Sequence, residues 1–250
     1  CKQYSYQATW IATPSTGTTA GPDTGFEAKP LFMLLDYPHQ QVHTWFTLPD
    51  LVTSPARLSR YRSMLSGAET DRYQRFHCPD DAHRYLIAHA LVRTILSKYA
   101  DIQPDCWTFA HGPHGRPELA NQDIPALRFN LTHTEKLVGC VVTLESDCGI
   151  DAEKISPRHK PLEVAKRMFS DTEFRELQQL EDAARLEYFF KRWTLREAYV
   201  KARGIGISFP TRKLTFTVNR DNAVVASFHP DIKDRQDNWH FHLIKPTQEH

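Results

Sequence analysis

Two acids, Asp151 and Glu153, stand two residues apart in the run Gly149-Ile150-Asp151-Ala152-Glu153. On a β-strand alternate side chains share a face, so both acids project together while Ile150 and Ala152 turn to the core. Two carboxylates held close repel one another unless a cation lies between them or one is protonated. A hard cation such as Mg²⁺ suits them, because it takes one or two carboxylates and fills its shell with phosphate oxygens and water. Asp-x-Glu triplets are common, however, and an isolated one usually marks a solvated strand face.

The segment from Ala184 to Arg203 changes that balance. Leu186, Phe190, Trp193 and Val200 form an apolar stripe at the helical period, with Glu197 in its middle and Lys201 one turn further on. A Glu on a buried face costs several kcal/mol unless it is paired or bound to a cation. The plain alternative is an exposed i,i+4 pair with Lys201, which contributes a few tenths of a kcal/mol. The position of Glu197 on the apolar face favours function. A third carboxylate and a lysine beside the Asp-x-Glu strand equip phosphoryl transfer with a metal site, a base and a positive charge on the leaving side. Anion contacts could come from Asn130-Leu131-Thr132-His133-Thr134, from Arg116, and from Arg72, Arg75 and Arg84. Each is ordinary alone; only their convergence carries weight.

These residues need elements to position them. A helix is expected from about Asp80 to Tyr99, with Tyr85, His89, Val92, Leu96 and Tyr99 on one side and acids at its start. His111-Gly112-Pro113-His114-Gly115-Arg116-Pro117 marks turns. Strands are expected at Leu31–Leu35, Val42–Phe46, Phe129–Leu131, Leu137–Leu144 and Gly149–Glu153. Ser170-Asp171-Thr172-Glu173 has the pattern of a capping box opening a helix to about Leu180. The long helix that carries Glu197 ends at Gly204. Leu214–Val218, Ala223–Phe228 and Trp239–Ile244 alternate as strands. Residues 1–29, rich in Ser, Thr, Gly and Pro, read as a flexible tail. Residues 30–145 and 146–250 then form two α+β halves, each with strands and one long helix, which hints at duplication without a residue-level repeat.

Composition narrows the function. The 31 basic and 30 acidic residues nearly cancel, so no global field points to nucleic acid or a membrane. Five scattered cysteines without a Cys-x-x-Cys pair favour reduced thiols and a cytoplasmic setting. No apolar run approaches the roughly 18 residues of a membrane span, and no signal peptide is expected. The chain starts at Cys1 rather than Met, as a fragment or a processed form would.

Together the motifs resemble the Sfp-type 4′-phosphopantetheinyl transferases. The matching blocks are Arg75–Arg84, His111–Pro117 with its Gly-Arg-Pro, Phe129–Thr134, Gly149–Glu153, and Trp193-Thr-Leu-Arg-Glu-Ala-Tyr-Val-Lys201, in the family's order. The resemblance implies an α+β fold, a pseudo-twofold monomer of two similar α+β halves with coenzyme A between them. It implies that Asp151, Glu153 and Glu197 hold Mg²⁺, with Mn²⁺ an alternative that carboxylates alone do not exclude. Glu197 would be the base for a carrier-protein serine and Lys201 would stabilise the departing phosphate. Arg72, Arg84, Arg116, Thr132 and His133 match positions contacting coenzyme A. The implied partner is an apo acyl or peptidyl carrier protein, with Lys166-Arg167-Met168-Phe169 a candidate docking patch. Two other readings are a non-catalytic coenzyme A or carrier-binding module and another Mg²⁺-dependent phosphoryl or nucleotidyl transferase. Arg196 stands where the family usually has Lys, Arg116 where Gly-Lys-Pro is commoner, Ala152 where a larger aliphatic is usual, and Glu69 where a basic coenzyme A contact is often found.

Overall fold

The computed structural model describes the backbone of residues 6–12 and residues 42–156, 160–206 and 208–246. The N-terminal half is built on an antiparallel sheet in the order β2 (His43–Thr47), β6 (Leu137–Leu144), β5 (Leu127–Thr134). Every residue of β6 is buried, which explains its unbroken apolar run: a central strand covered on both faces shows no alternation. Helices α1 (Pro55–Ser63), α2 (Gly67–Gln74) and α3 (Pro79–Leu96) precede a hairpin of β3 (Phe109–His111) and β4 (Pro117–Leu119). Pro79 opens α3 at a position where its missing N–H has no helical partner to lose.

The C-terminal half repeats this plan. Its sheet runs β10 (His240–Ile244), β1 (Tyr6–Ala12), β7 (Cys148–Lys154), again antiparallel. Helices α4 (Pro161–Met168), α5 (Asp171–Gln178) and α6 (Asp182–Arg203) lead to the hairpin of β8 (Leu214–Val218) and β9 (Val224–Phe228). Gly204 closes α6 at φ 60°, a left-handed conformation that glycine adopts without strain. Leu195, Tyr199, Leu214, Phe216 and Trp239 form one core, and Phe169, Leu177, Phe189 and Phe190 another beneath α4 and α5. Each such side chain contributes roughly 1.5–3 kcal/mol through burial.

Two expectations need correction. The stretch 1–29 is not a tail throughout, because Tyr6–Ala12 is the middle strand of the C-terminal sheet. Its Tyr, Thr, Trp and Ile content favours a strand, a local signal diluted by the Ser, Thr, Gly and Pro around it. The strand expected at Leu31–Leu35 lies outside the described residues. The second correction concerns duplication, for a residue-level repeat exists. Ser66 and Glu69 form a capping box, and Glu69 holds Arg93 of α3, whose guanidinium lies 5.0 Å from the Phe109 ring centroid. Ser170 and Glu173 form a second capping box, and Glu173 holds Arg196 of α6, whose guanidinium lies 5.3 Å from the Phe216 ring centroid. In both halves the Arg also donates to a backbone carbonyl at 2.7 Å, that of Trp107 or of Leu214.

Candidate active site

The two halves meet where β5 passes β7. Ile150 and Ala152 of β7 are buried, and Asp151 between them is only 5 % exposed. Gly149 lets the strand press against α6: a Cβ there would lie 2.1 Å from the Ala198 carbonyl oxygen and 2.7 Å from the Ala202 nitrogen. This close approach brings Glu197 and Lys201 of α6 beside the Asp-x-Glu strand. Lys201 Nζ donates to Asp151 Oδ1 at 2.6 Å, to the Ile150 carbonyl at 3.2 Å and to Thr132 Oγ1 at 3.4 Å.

The three acids act on one another. Burial pushes Glu153 up to about 7, the Asp151 charge adds to this, a Trp193 hydrogen bond and Lys201 oppose it, and Glu197 reinforces it. Glu197 is raised by burial and then by Asp151, against the pull of Lys201. Among the described residues Asp151 Oδ2 is buried without a hydrogen-bond partner. Equally, among those residues no group of three or more His, Cys, Asp or Glu side chains is arranged to hold a metal ion.

Beside this seam a cleft of about 300 Å³ runs between the halves, lined by Arg116, Asn130 and Leu131 on one side and Met168, Glu197 and Lys201 on the other. Its wall continues into a second cavity of about 200 Å³ in the N-terminal half, where Arg72, Tyr85 and His89 face Phe129 and Leu131. His133 lies near these cations. Its ring is pushed toward the neutral form by desolvation and then by the charges of Arg84, Lys201, His89 and Arg72. Arg84 pairs with Asp81 and donates to the Glu135 carbonyl at 3.2 Å, while Arg72 stacks 5.6 Å from the Tyr85 ring centroid.

Most expected residues therefore converge: Asp151, Glu153, Glu197, Lys201, Arg72, Arg84 and His133. Two stand differently. Thr132 is buried, and its hydroxyl accepts from the Ala152 N–H at 3.1 Å rather than opening onto the cleft. Arg116 lines the cleft, yet its guanidinium donates to the Ala202 carbonyl and pairs with Asp147 at 3.4 Å, tying the N-terminal turn to the end of α6. Phe169 of the expected docking patch is fully buried and stacks on Phe189, whereas Lys166 and Arg167 are exposed and Met168 reaches the cleft. Two roles were missed, that of His89, read only as part of a helix face, and that of Asn130, read as a possible anion contact. His89 shares its carboxylate partner with Arg93, and Asn130 of β5 accepts from the Ile150 N–H at 3.0 Å. The alternation of Asn130 with Thr132 was the signal that could have revealed the latter.

Comparison with known proteins agrees with this architecture. Residues 147–250 match the family described as the 4′-phosphopantetheinyl transferase superfamily, and residues 52–145 match the description "4′-phosphopantetheinyl transferase, N-terminal". The chain belongs to the 4′-phosphopantetheinyl transferase family. It is 31 % identical to the 4′-phosphopantetheinyl transferase Sfp of Bacillus subtilis, over 66 % of this chain and 71 % of Sfp. Against the 4′-phosphopantetheinyl transferase HetI of a Nostoc species it is 33 % identical, over 67 % of this chain and 70 % of HetI. The L-aminoadipate-semialdehyde dehydrogenase-phosphopantetheinyl transferase of Rattus norvegicus is 24 % identical, over 90 % of this chain and 77 % of the rat protein.

Proposed function

We propose that this transferase moves the 4′-phosphopantetheine group of coenzyme A onto a serine of an apo acyl or peptidyl carrier protein, releasing 3′,5′-ADP. The observation that carries this reading is the convergence of Glu197 and Lys201 with Asp151 and Glu153 at the edge of a cleft walled by both halves. Neither a binding module nor a small-nucleotide enzyme is favoured by relatives named as phosphopantetheinyl transferases.

Asp151, Glu153 and Glu197 would hold Mg²⁺. The fit is supported by the orphaned buried Oδ2 of Asp151 and by the burial of Glu153 and Glu197 beside the Asp151 charge, which raises both carboxyls and which a cation would offset. A bound Mg²⁺ supplies charge neutralisation at phosphate oxygens. The Glu197 carboxylate lines the cleft and is suited by position to take the proton from the attacking serine hydroxyl. As the serine oxygen bonds to the β-phosphorus, the bond from that phosphorus to the 3′,5′-ADP oxygen breaks. The Lys201 ammonium is the cation placed to meet the departing phosphate. Arg84 and Arg72 supply a cationic wall for the anionic nucleotide end, and the neutral His133 ring beside them offers a hydrogen bond. Lys166 and Arg167, exposed beside Met168 at the cleft rim, offer positive charge to an acidic carrier helix. Among the described residues no helix is long and apolar enough to cross a membrane.

Intact-mass spectrometry of an apo carrier protein incubated with the enzyme, coenzyme A and Mg²⁺ tests the assignment. A gain of one phosphopantetheine, abolished by EDTA, supports it. Tight coenzyme A binding with no mass gain across several carrier types would replace it with the non-catalytic module.

A further inference from the structure

A β-strand sends successive N–H groups to opposite edges, and an edge buried without partners is costly. In β7 one edge is laddered to β1, where Thr9 is the partner of Asp151. The opposite edge faces β5 of the other half, and no backbone ladder joins these two strands. Side chains stand in for it. Asn130 Oδ1 accepts from the Ile150 N–H at 3.0 Å, and Thr132 Oγ1 accepts from the Ala152 N–H at 3.1 Å. Lys201 Nζ donates to the Ile150 carbonyl between them. Asn130 and Thr132 are 5 % and 3 % exposed, so water cannot take over these bonds.

The two amides pinned in this way flank Asp151. We propose that Asn130 and Thr132 are positioning residues for the metal-binding acids: they fix the rotation and height of β7, and through it the direction in which Asp151 and Glu153 project. Thr132 also orients the Asp151 side chain. Its Oγ1 lies 3.5 Å from Asp151 Oδ1, so one hydroxyl accepts from the Ala152 amide and turns its proton toward the carboxylate. This inference rests on the reading of Asp151, Glu153 and Glu197 as the metal ligands. It assigns Thr132 a place behind the acids rather than on coenzyme A, and it gives Asn130 a role.

The test has two arms. In the first, Mn²⁺ binding to the coenzyme A complex is measured by electron paramagnetic resonance for the wild type, Thr132→Val, Thr132→Ser, Asn130→Leu and Glu153→Gln. Coenzyme A affinity is measured separately in EDTA. Groups that orient metal ligands typically weaken metal binding by about 10–100-fold when removed. Thr132→Val and Asn130→Leu should therefore lose about that much Mn²⁺ affinity, Thr132→Ser should retain it, and coenzyme A affinity in EDTA should hold. Wild-type Mn²⁺ affinity in Thr132→Val, with coenzyme A affinity lost, would make Thr132 a ligand contact and overturn the proposal. If Glu153→Gln binds Mn²⁺ as well as the wild type does, the metal reading fails, and the proposal with it. The second arm needs no variant to fold: amide exchange of the wild type, followed by NMR, should show protected Ile150 and Ala152 amides. Exchange of either at the rate of an open loop overturns the proposal.

Discussion

Arg196, the residue immediately before Glu197, points into the core of the C-terminal half and pairs there with the buried carboxylate of Glu173. Both side chains are 1 % exposed. The Arg196 guanidinium also donates to the carbonyls of Leu214 and Arg192 and lies 4.3 Å from the Phe169 ring centroid. The Arg-for-Lys difference from the family pattern thus falls on a structural clamp joining α5, α6 and β8. Removing one partner of a buried pair leaves the other charge uncompensated, at a cost of about 3–5 kcal/mol. Urea unfolding of Arg196→Leu should show a loss of that size. Arg93→Leu should cost less, because Glu69 keeps His89 and the Ser66 N–H as partners and is more exposed than Glu173.

Glu69 makes the N-terminal clamp sensitive to acid. Burial would raise its carboxyl, but a 2.8 Å bond to His89, the Ser66 N–H, the His89 charge and Arg93 outweigh this and hold it at about 2. A carboxyl depressed in the folded state stabilises fully above its unfolded value near 4.5, and that stabilisation is lost as pH falls toward 2. The difference amounts to at most roughly 3 kcal/mol. Urea midpoints recorded from pH 7 to pH 3 should therefore fall more steeply for the wild type than for Glu69→Gln, with the curves converging at the acid end.

The chemical part of the site was legible because it is written at short range. Asp151 and Glu153 alternate on a strand, and Glu197 interrupts an apolar stripe. The clamps were not legible, since Ser66, Glu69, Arg93 and Phe109 correspond to Ser170, Glu173, Arg196 and Phe216 only across loops of unequal length. Thr132 was grouped with His133 as a neighbour in sequence, although adjacent strand residues face opposite sides. The structure accordingly buries Thr132 and leaves His133 exposed. Strand β1 was hidden by its surroundings, for its partners β7 and β10 lie far along the chain and no local pattern announces them.

Gly149→Ala should be severe for a reason of space alone. The new Cβ would collide with the backbone of Ala198 and Ala202, which no rotamer change can relieve. Overpacking that makes backbone shift costs typically about 1–3 kcal/mol and occasionally more, and a clash with two backbone atoms falls at the upper end. Thermal melts should show the loss. Among molecules that remain folded, transfer should also fall, because α6 carries Glu197 and Lys201 away from β7 as it moves.

The roles of Glu197 and His133 separate experimentally. Glu197→Gln keeps the side-chain shape and removes the proposed base, so turnover should fall by about 10²–10⁴ while coenzyme A binding stays measurable by calorimetry. His133→Ala should instead weaken coenzyme A binding by about tenfold, the scale of one charge-assisted or polar contact. Near-normal turnover in Glu197→Gln would remove this residue from the proton transfer.

Strand β1 carries a consequence for how the molecule is made. It occupies the centre of the C-terminal sheet, yet it is translated long before β7 and β10, the strands on either side of it. At about 5–20 residues per second, the ribosome leaves it without either neighbour for many seconds while the N-terminal half has time to fold. During synthesis this apolar, aromatic segment is the exposed one, and it is where a holdase chaperone has the most to shield. Completion of the C-terminal sheet thus waits for β10, so β7 gains its full support only once that strand has followed it out.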